Sequence, residues 1–243
     1  EHLELANQAG ILGGVQVGGS VETSKWSAAT AAIEPRLVAA VALHPNVAAE
    51  YATVAELDDA IAEIAKLAPQ PRVRAVGETG LDYFRTPPDL QEIQRHSFKR
   101  HIEIAKENNL ALVIHDRDAH SDVLKVLEEV GAPEKTIFHC YSGDLEMAKY
   151  CVERGFILSF AGTVTFKNAP ALREAVKYVP DDLLLVETDS PYLTPEPYRG
   201  KSNEPANVAL TAERVAEIQD ISLSHLAEKT TQNFFSLFRK ASL

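Results

Sequence analysis

The chain has 243 residues, 45% hydrophobic and 24% charged, a globular balance that excludes collagen-like, low-complexity and disulfide-scaffold proteins. Setting 35 acidic against 24 basic residues leaves a formal charge of −11, which excludes broad neutralisation of duplex nucleic acid by a basic surface, though not a grip on phosphates through bound cations. No window approaches the roughly 18 uninterrupted apolar residues of a membrane span, the opening EHLELANQAG lacks a signal-peptide layout, and Cys140 and Cys151 form no CxxC pair, so a reduced, cytoplasmic setting without membrane contact is expected.

In chain order, His2 to Gly10 reads as a helix ending at a glycine cap. Seven short apolar, β-branched runs follow: Ile11 to Gly19, Arg36 to Pro45, Arg72 to Gly80, Leu110 to Asp116, Lys135 to Gly143, Gly155 to Thr163 and Asp182 to Pro191. Their cores carry almost no charge, as expected of strands buried on both faces. Between them lie amphipathic stretches such as Val54 to Ala68 and Asp89 to Asn109, with apolar residues every three or four positions. Repeated strand-then-helix units predict a parallel sheet in a single domain spanning 1–243. Seven units in this length approach the eight of a (β/α)₈ TIM barrel of roughly 250 residues, with the first strand missing from the given chain and expected before Glu1. A doubly wound sheet is the competing architecture, but no Gly-x-Gly-x-x-Gly turn follows the first run.

Barrel chemistry sits at the C-terminal ends of strands, and there the runs carry His44, Glu78, His115, His139 and Asp189, all expected on one rim. A single His or Asp after a strand is commonly a capping or loop residue. Ligand-type residues at matching positions of successive units point instead to a metal site. Imidazole and carboxylate together suit Zn²⁺, Mn²⁺ and related ions and favour hydrolysis by activated water, with Asp189 able to take the proton. His44 is the weaker member, because Pro45 behind it suggests a turn in which it bonds to backbone. His120 is expected on the exposed first turn of a helix, and His2, His96, His101 and His225 on solvated helix faces. Cys140, next to His139, reads as a packed small apolar residue pointing the other way if the strand continues.

The strings AVGETGLDYFR, LVIHDRDAH, FHCYSG, LVETDSPYLTP and YRGKSNEPANV resemble the TatD family of metal-dependent deoxyribonucleases, in order and spacing, from about Gly10 to the C-terminus. The resemblance implies an amidohydrolase-type barrel that holds two divalent ions (Mg, Mn or Zn) and hydrolyses DNA phosphodiesters, as a 3′ to 5′ exonuclease preferring single-stranded ends, with no obligate protein partner. It makes Glu78 the carboxylate that bridges two metals, His115 and His139 imidazole ligands, and Asp189 a ligand that also orients or deprotonates the attacking water. His44 matches the family histidine near the scissile phosphate. Arg199, Asn203 and Glu204 fall in the substrate-side loop, and Asp82 and Arg85 support the site; the bland reading of Arg199 and Lys201 is a solvated basic loop. The family's His-x-His pair at the end of its first strand has no counterpart in this sequence, which agrees with the strand count.

Three readings remain on the sequence. One is the nuclease. Another keeps the metal barrel but cleaves an amide or ester, including deacylation of aminoacyl-RNA, because a fold does not fix a substrate. The last is a metal-free binding scaffold.

Overall fold

A computed structural model describes residues 1–238. The chain divides into two compact units, one of Glu1–Gly13 with Cys140–Ser236, the other of Gly14–His139 with Leu237 and Phe238. Each repeats strand and helix, and the elements follow in chain order.

Helix α1 (His2–Gln8) ends as its sequence dictates. Gly10 takes a left-handed φ of 85°, and the amides of Gly10 and Ile11 donate to the carbonyls of Asn7 and Ala6, so the last turn is closed by backbone.

The unit built on Gly14–His139 contains β1 (Gly14–Val17), α2 (Val21–Ile33), β2 (Leu37–Val41), the single turn α3 (Pro45–Ala48), α4 (Val54–Leu67), β3 (Val73–Asp82), α5 (Gln91–Asn108), β4 (Ala111–Arg117), α6 (His120–Val130) and β5 (Thr136–Phe138). The five strands pair in parallel in chain order. Local signals start the helices: Ser20 and Thr23 form a reciprocal capping box on α2, and the Thr53 hydroxyl accepts from the Glu56 amide to start α4. The periodic apolar stripes then meet the sheet. Leu57, Ile61 and Ile64 of α4 and Phe98 and Ile102 of α5 are fully buried, as are Leu43, Leu81, Leu112 and Ile114. Each such side chain contributes about 1.5–3 kcal/mol by leaving water.

Burial on both strand faces holds for β2 but not for β1, whose four residues are all half-exposed. The run boundaries also shift. The strand carrying Glu78 continues to Asp82, because Thr79 to Asp82 find partners in Ile114 to Arg117. His44 lies three residues beyond β2, and β5 stops at Phe138, so His139 and Cys140 follow the strand instead of extending it. Cys140 is half-buried with a left-handed φ of 50°, and strand alternation does not set its direction.

The other unit contains α7 (Leu145–Glu153), β6 (Ile157–Phe160), α8 (Pro170–Tyr178), β7 (Leu184–Val186), α9 (Val208–Gln219) and α10 (Leu223–Leu237). Strands β6 and β7 are parallel, and Leu158, Phe160, Cys151, Val176, Val215 and Leu226 form its core. Asn233 ties α10 to the start of β7 by donating to the carbonyls of Asp181 and Leu184. Asp189 does not end this strand; it lies three residues past Val186, in a loop.

Candidate metal centre

The cluster around Glu78 is assembled by the two best-connected strands. β3 carries Glu78 and Asp82, and β4 carries His115 directly opposite Gly80. That approach requires glycine: a Cβ at Gly80, whose φ is 139°, would lie 2.1 Å from the His115 carbonyl oxygen. His139 is fixed by its amide, which donates to the Ile114 carbonyl across β4 and β5.

These elements aim three imidazoles at one carboxylate. Glu78 Oε2 is 3.3 Å from His115 Nδ1 and 3.1 Å from His139 Nε2, while Oε1 is 3.8 Å from His44 Nε2. His44 and His115 also meet edge to face, with Nε2 and Nδ1 3.3 Å apart. Polar side-chain atoms of His44, Glu78 and His115 all lie within 4.8 Å of one another, so Glu78 and His115 can share a cation with His44 beside it.

The hydrogen bonds around the cluster separate the roles of its histidines. His44 caps α3, and its Nδ1 accepts the Asn46 amide at 3.1 Å; the neutral ring therefore carries its proton on Nε2, the atom that faces Glu78 and His115. His115 is arranged the other way. Its Nε2 lies 3.3 Å from Asp82 Oδ2, so donation to that carboxylate leaves the Nδ1 lone pair facing Glu78. By this accounting His44 is a donor and His115 a ligand.

Asp82, only 1% exposed, is itself held on every side: Oδ2 accepts from Asn46 Nδ2 at 3.0 Å, Oδ1 from the Arg85 amide at 3.0 Å, and its own amide donates to Gln94 Oε1. Arg85 enters through its backbone, while its side chain is exposed.

Electrostatics set the two rings apart: His44 is held neutral, whereas His115 is drawn toward protonation, and a cation at its Nδ1 would displace that proton. Burial pushes the His44 imidazole down to about 4, against the attraction of Glu78, and keeps it neutral. His115 is also opposed by burial, but the bonds to Asp82 and Glu78 prevail and raise it. Burial works against ionising Glu78 and Asp82 too; the surrounding imidazoles hold Glu78 well below the usual carboxylate range, and the bonds from His115, the Arg85 amide and Asn46 do the same for Asp82. The result is an ionised, imidazole-lined carboxylate whose donor set fits a divalent ion of borderline softness.

The remaining expected residues belong to the other unit. Asp189 is half-buried with a left-handed φ of 57°, and its carbonyl accepts the Tyr192 amide at 2.8 Å. Asn203 is buried and braces this loop: Nδ2 donates to the carbonyls of Thr188 and Tyr192, and Oδ1 accepts from the Glu204 amide and Asn207. Arg199 is exposed, its guanidinium 4.1 Å above the Phe166 ring, and Lys201 lies over Tyr198. Glu204 faces His2 at 3.6 Å.

Three supporting residues carry no motif signal. Asn46 and Gln94 touch Asp82 from 36 and 12 residues away. His101, expected on a solvated face, is fully buried: its Nδ1 donates to the Ser97 carbonyl at 2.7 Å and its Nε2 accepts the amide of Leu43, the residue before His44. Its position one turn from Phe98 and from Ala105 was the available signal, because residues three and four apart share a helix face. His96 and His225 are half-exposed and pair with Asp58 and Asp181; His120 opens α6 and pairs with Asp116.

Comparison with known proteins agrees with this frame. The family model of TatD-related DNases matches residues 1–239. The chain is 44% identical over 236 residues to a Mycobacterium tuberculosis metal-dependent hydrolase, TatD, covering 95% of this chain and 87% of the relative. To the Bacillus subtilis metal-dependent hydrolase YabD it is 43% identical, covering 84% and 78%. The crystal structure of the Escherichia coli TatD homologue YJJV superposes with a TM-score of 0.89 at 26% identity, over 98% of this chain and 90% of that one. The α/β architecture is thus that of the TIM-barrel-type metal-dependent hydrolases, and no helix among the described residues is long and apolar enough to cross a membrane. Strand order, the carboxylate–imidazole cluster and these likenesses lead to one assignment: the chain belongs to the TatD family of metal-dependent hydrolases.

Proposed function

We propose that the chain is a metal-dependent deoxyribonuclease that removes nucleotides stepwise from the 3′ ends of single-stranded DNA in the cytoplasm. The observation that carries this reading is the convergence of His44, His115 and His139 on the Glu78 carboxylate. Glu78, His115, His139 and Asp189 would hold two divalent ions (Mg, Mn or Zn). Such ions, when bound, polarise a phosphoryl oxygen and make water acidic enough to be a nucleophile near neutral pH.

The chain's own groups supply the rest. Asp189 orients the attacking water and takes its proton as the bond from water oxygen to phosphorus forms and the bond to the leaving 3′ oxygen breaks. His44, with its proton on Nε2, donates to a non-bridging phosphate oxygen. Asp82 keeps the His115 lone pair turned toward Glu78, and Arg85 supports Asp82 through its amide. Arg199 adds positive charge on the substrate side, with Glu204 in the same loop and Asn203 bracing it. Donors such as His44 and Arg199 suit a charged phosphodiester better than a neutral amide or ester.

The test is digestion of a 3′-labelled single-stranded oligonucleotide with and without added divalent metal, beside Asp189→Asn. Metal-dependent stepwise loss of 3′ nucleotides, absent in the variant, is the expected result. An inert oligonucleotide alongside turnover of an aminoacyl or simple ester would overturn it.

A further inference from the structure

The loop that follows β3 carries an aromatic ring that the chemistry above does not use. We propose that Phe84, with the Arg117 guanidinium stacked on it, is a platform for one nucleobase of a single-stranded polynucleotide, beside the phosphate held at the Glu78 cluster. This rests on the nuclease reading and adds how that site grips the base.

Placement comes from register. His115 and Arg117 are alternate residues of β4 and so project from the same face, roughly 7 Å apart along the strand. Gly80 pairs with His115 and Asp82 with Arg117, so the Arg117 position is one step further along the same two strands than the cluster. Phe84 follows two residues after Asp82, and the Arg117 guanidinium carbon lies 3.9 Å from its ring centroid. The ring is nevertheless 61% exposed.

Phe84 is exposed on a pinned loop. The Tyr83 amide donates to the Arg117 carbonyl at 2.9 Å, and the Tyr83 hydroxyl donates to Asp122 Oδ2 at 2.8 Å while accepting from Arg95. On the other side, the Arg85 amide donates to Asp82, and the Thr86 hydroxyl accepts from Gln94 Nε2. A ring presented this way loses little further freedom when it takes a flat partner.

The chemistry selects the partner. A phenyl ring has no hydrogen-bonding edge, so it stacks on any unpaired base without reading sequence, and the guanidinium adds cation–π attraction and positive charge next to a phosphate. A base paired and stacked within a duplex offers no such face. On a chain of net charge −11, a local cation beside the cluster matters for holding a polyanion.

The experiment compares the full-length protein with Phe84→Ala and Phe84→Trp on a single-stranded oligodeoxynucleotide and on the same strand with abasic sites flanking the scissile bond. Anisotropy of a labelled strand with cleavage-resistant phosphorothioate linkages, with divalent metal present, measures binding independently of cleavage. Phe84→Ala should raise KM and Kd by about tenfold, toward the lower end of what one stacked base contributes, with Phe84→Trp restoring both and the abasic strand removing the difference. Cleavage by the wild type with no change in Phe84→Ala, or an equal loss on the abasic strand, overturns the platform alone. A wild type that neither cleaves nor binds the oligonucleotide overturns the nuclease reading, and the platform with it.

Discussion

Glu78 and Asp189 carry the two central carboxylates of the proposed chemistry, and the chain holds them in opposite ways. Glu78 lies inside a ten-residue strand, at an irregularity in the pairing with β4 that is clamped by the ladder pairs of Val76 and Thr79 on either side and by the close approach at Gly80. Asp189 lies in a loop beyond a three-residue strand, where one buried amide, that of Asn203, holds the carbonyls on either side of it. A ladder distributes positional control over many backbone bonds, whereas a brace concentrates it in one side chain. The first arrangement suits a group that must keep a fixed distance to three imidazoles; the second leaves a loop whose geometry one substitution can alter.

The largest effect expected is at the ladder-held carboxylate itself. Glu78→Ala should abolish metal-dependent hydrolysis and lower bound metal, measured by elemental analysis after dialysis; full occupancy in that variant would remove Glu78 as a ligand. One step out, Asp82→Asn should weaken metal binding by about 10–100-fold, because His115 loses the carboxylate that sets its tautomer. Titration with a metal-sensitive dye checks this, and unchanged affinity would show that His115 needs no orienting partner.

The brace makes a sharper prediction. Asn203→Ala leaves the part-buried carbonyls of Thr188 and Tyr192 without this donor and should cost about 0.5–1.5 kcal/mol in urea unfolding. Turnover should fall while metal affinity at the Glu78 cluster stays near that of the wild type. Equal losses of both would erase the distinction between the two modes of support.

The most gradual effect is a pH dependence of stability, spread over several pH units. Burial lowers His101 to about 4 from an ordinary value near 6.5, so the unfolded chain binds a proton that the folded one refuses. Its contribution is complete above pH 6.5 and disappears as pH falls to about 4, on the order of 3 kcal/mol in all. In His101→Ala, which lacks the bond to the Leu43 amide, that part of the slope should vanish between pH 6.5 and 4, leaving the similar but separate contribution of His44. An unchanged slope would mean that His101 protonates in place.

Much of this was legible in the sequence, for reasons that also mark its limits. Apolar, β-branched runs betray buried parallel strands, so all seven were readable, as were the ligand-type residues set in or just after them. What periodicity does not give is where pairing stops: β3 runs on past Glu78 because β4 offers partners, and β7 stops short of Asp189. Supporting residues were hidden for a different reason. Nothing in the type of Asn46 or Gln94 announces a role; each acts on a carboxylate distant in sequence, which only the fold brings into reach.

The glycine opposite His115 has a consequence for how this part of the sheet can vary. Any side chain at residue 80, on a backbone with a φ of 139°, would drive a Cβ into the His115 carbonyl. A larger residue there must therefore push β3 away from β4 or rotate the backbone between Glu78 and Asp82, and either movement takes the carboxylates off the His115 ring. The space left by a missing side chain is what sets the distance between those groups.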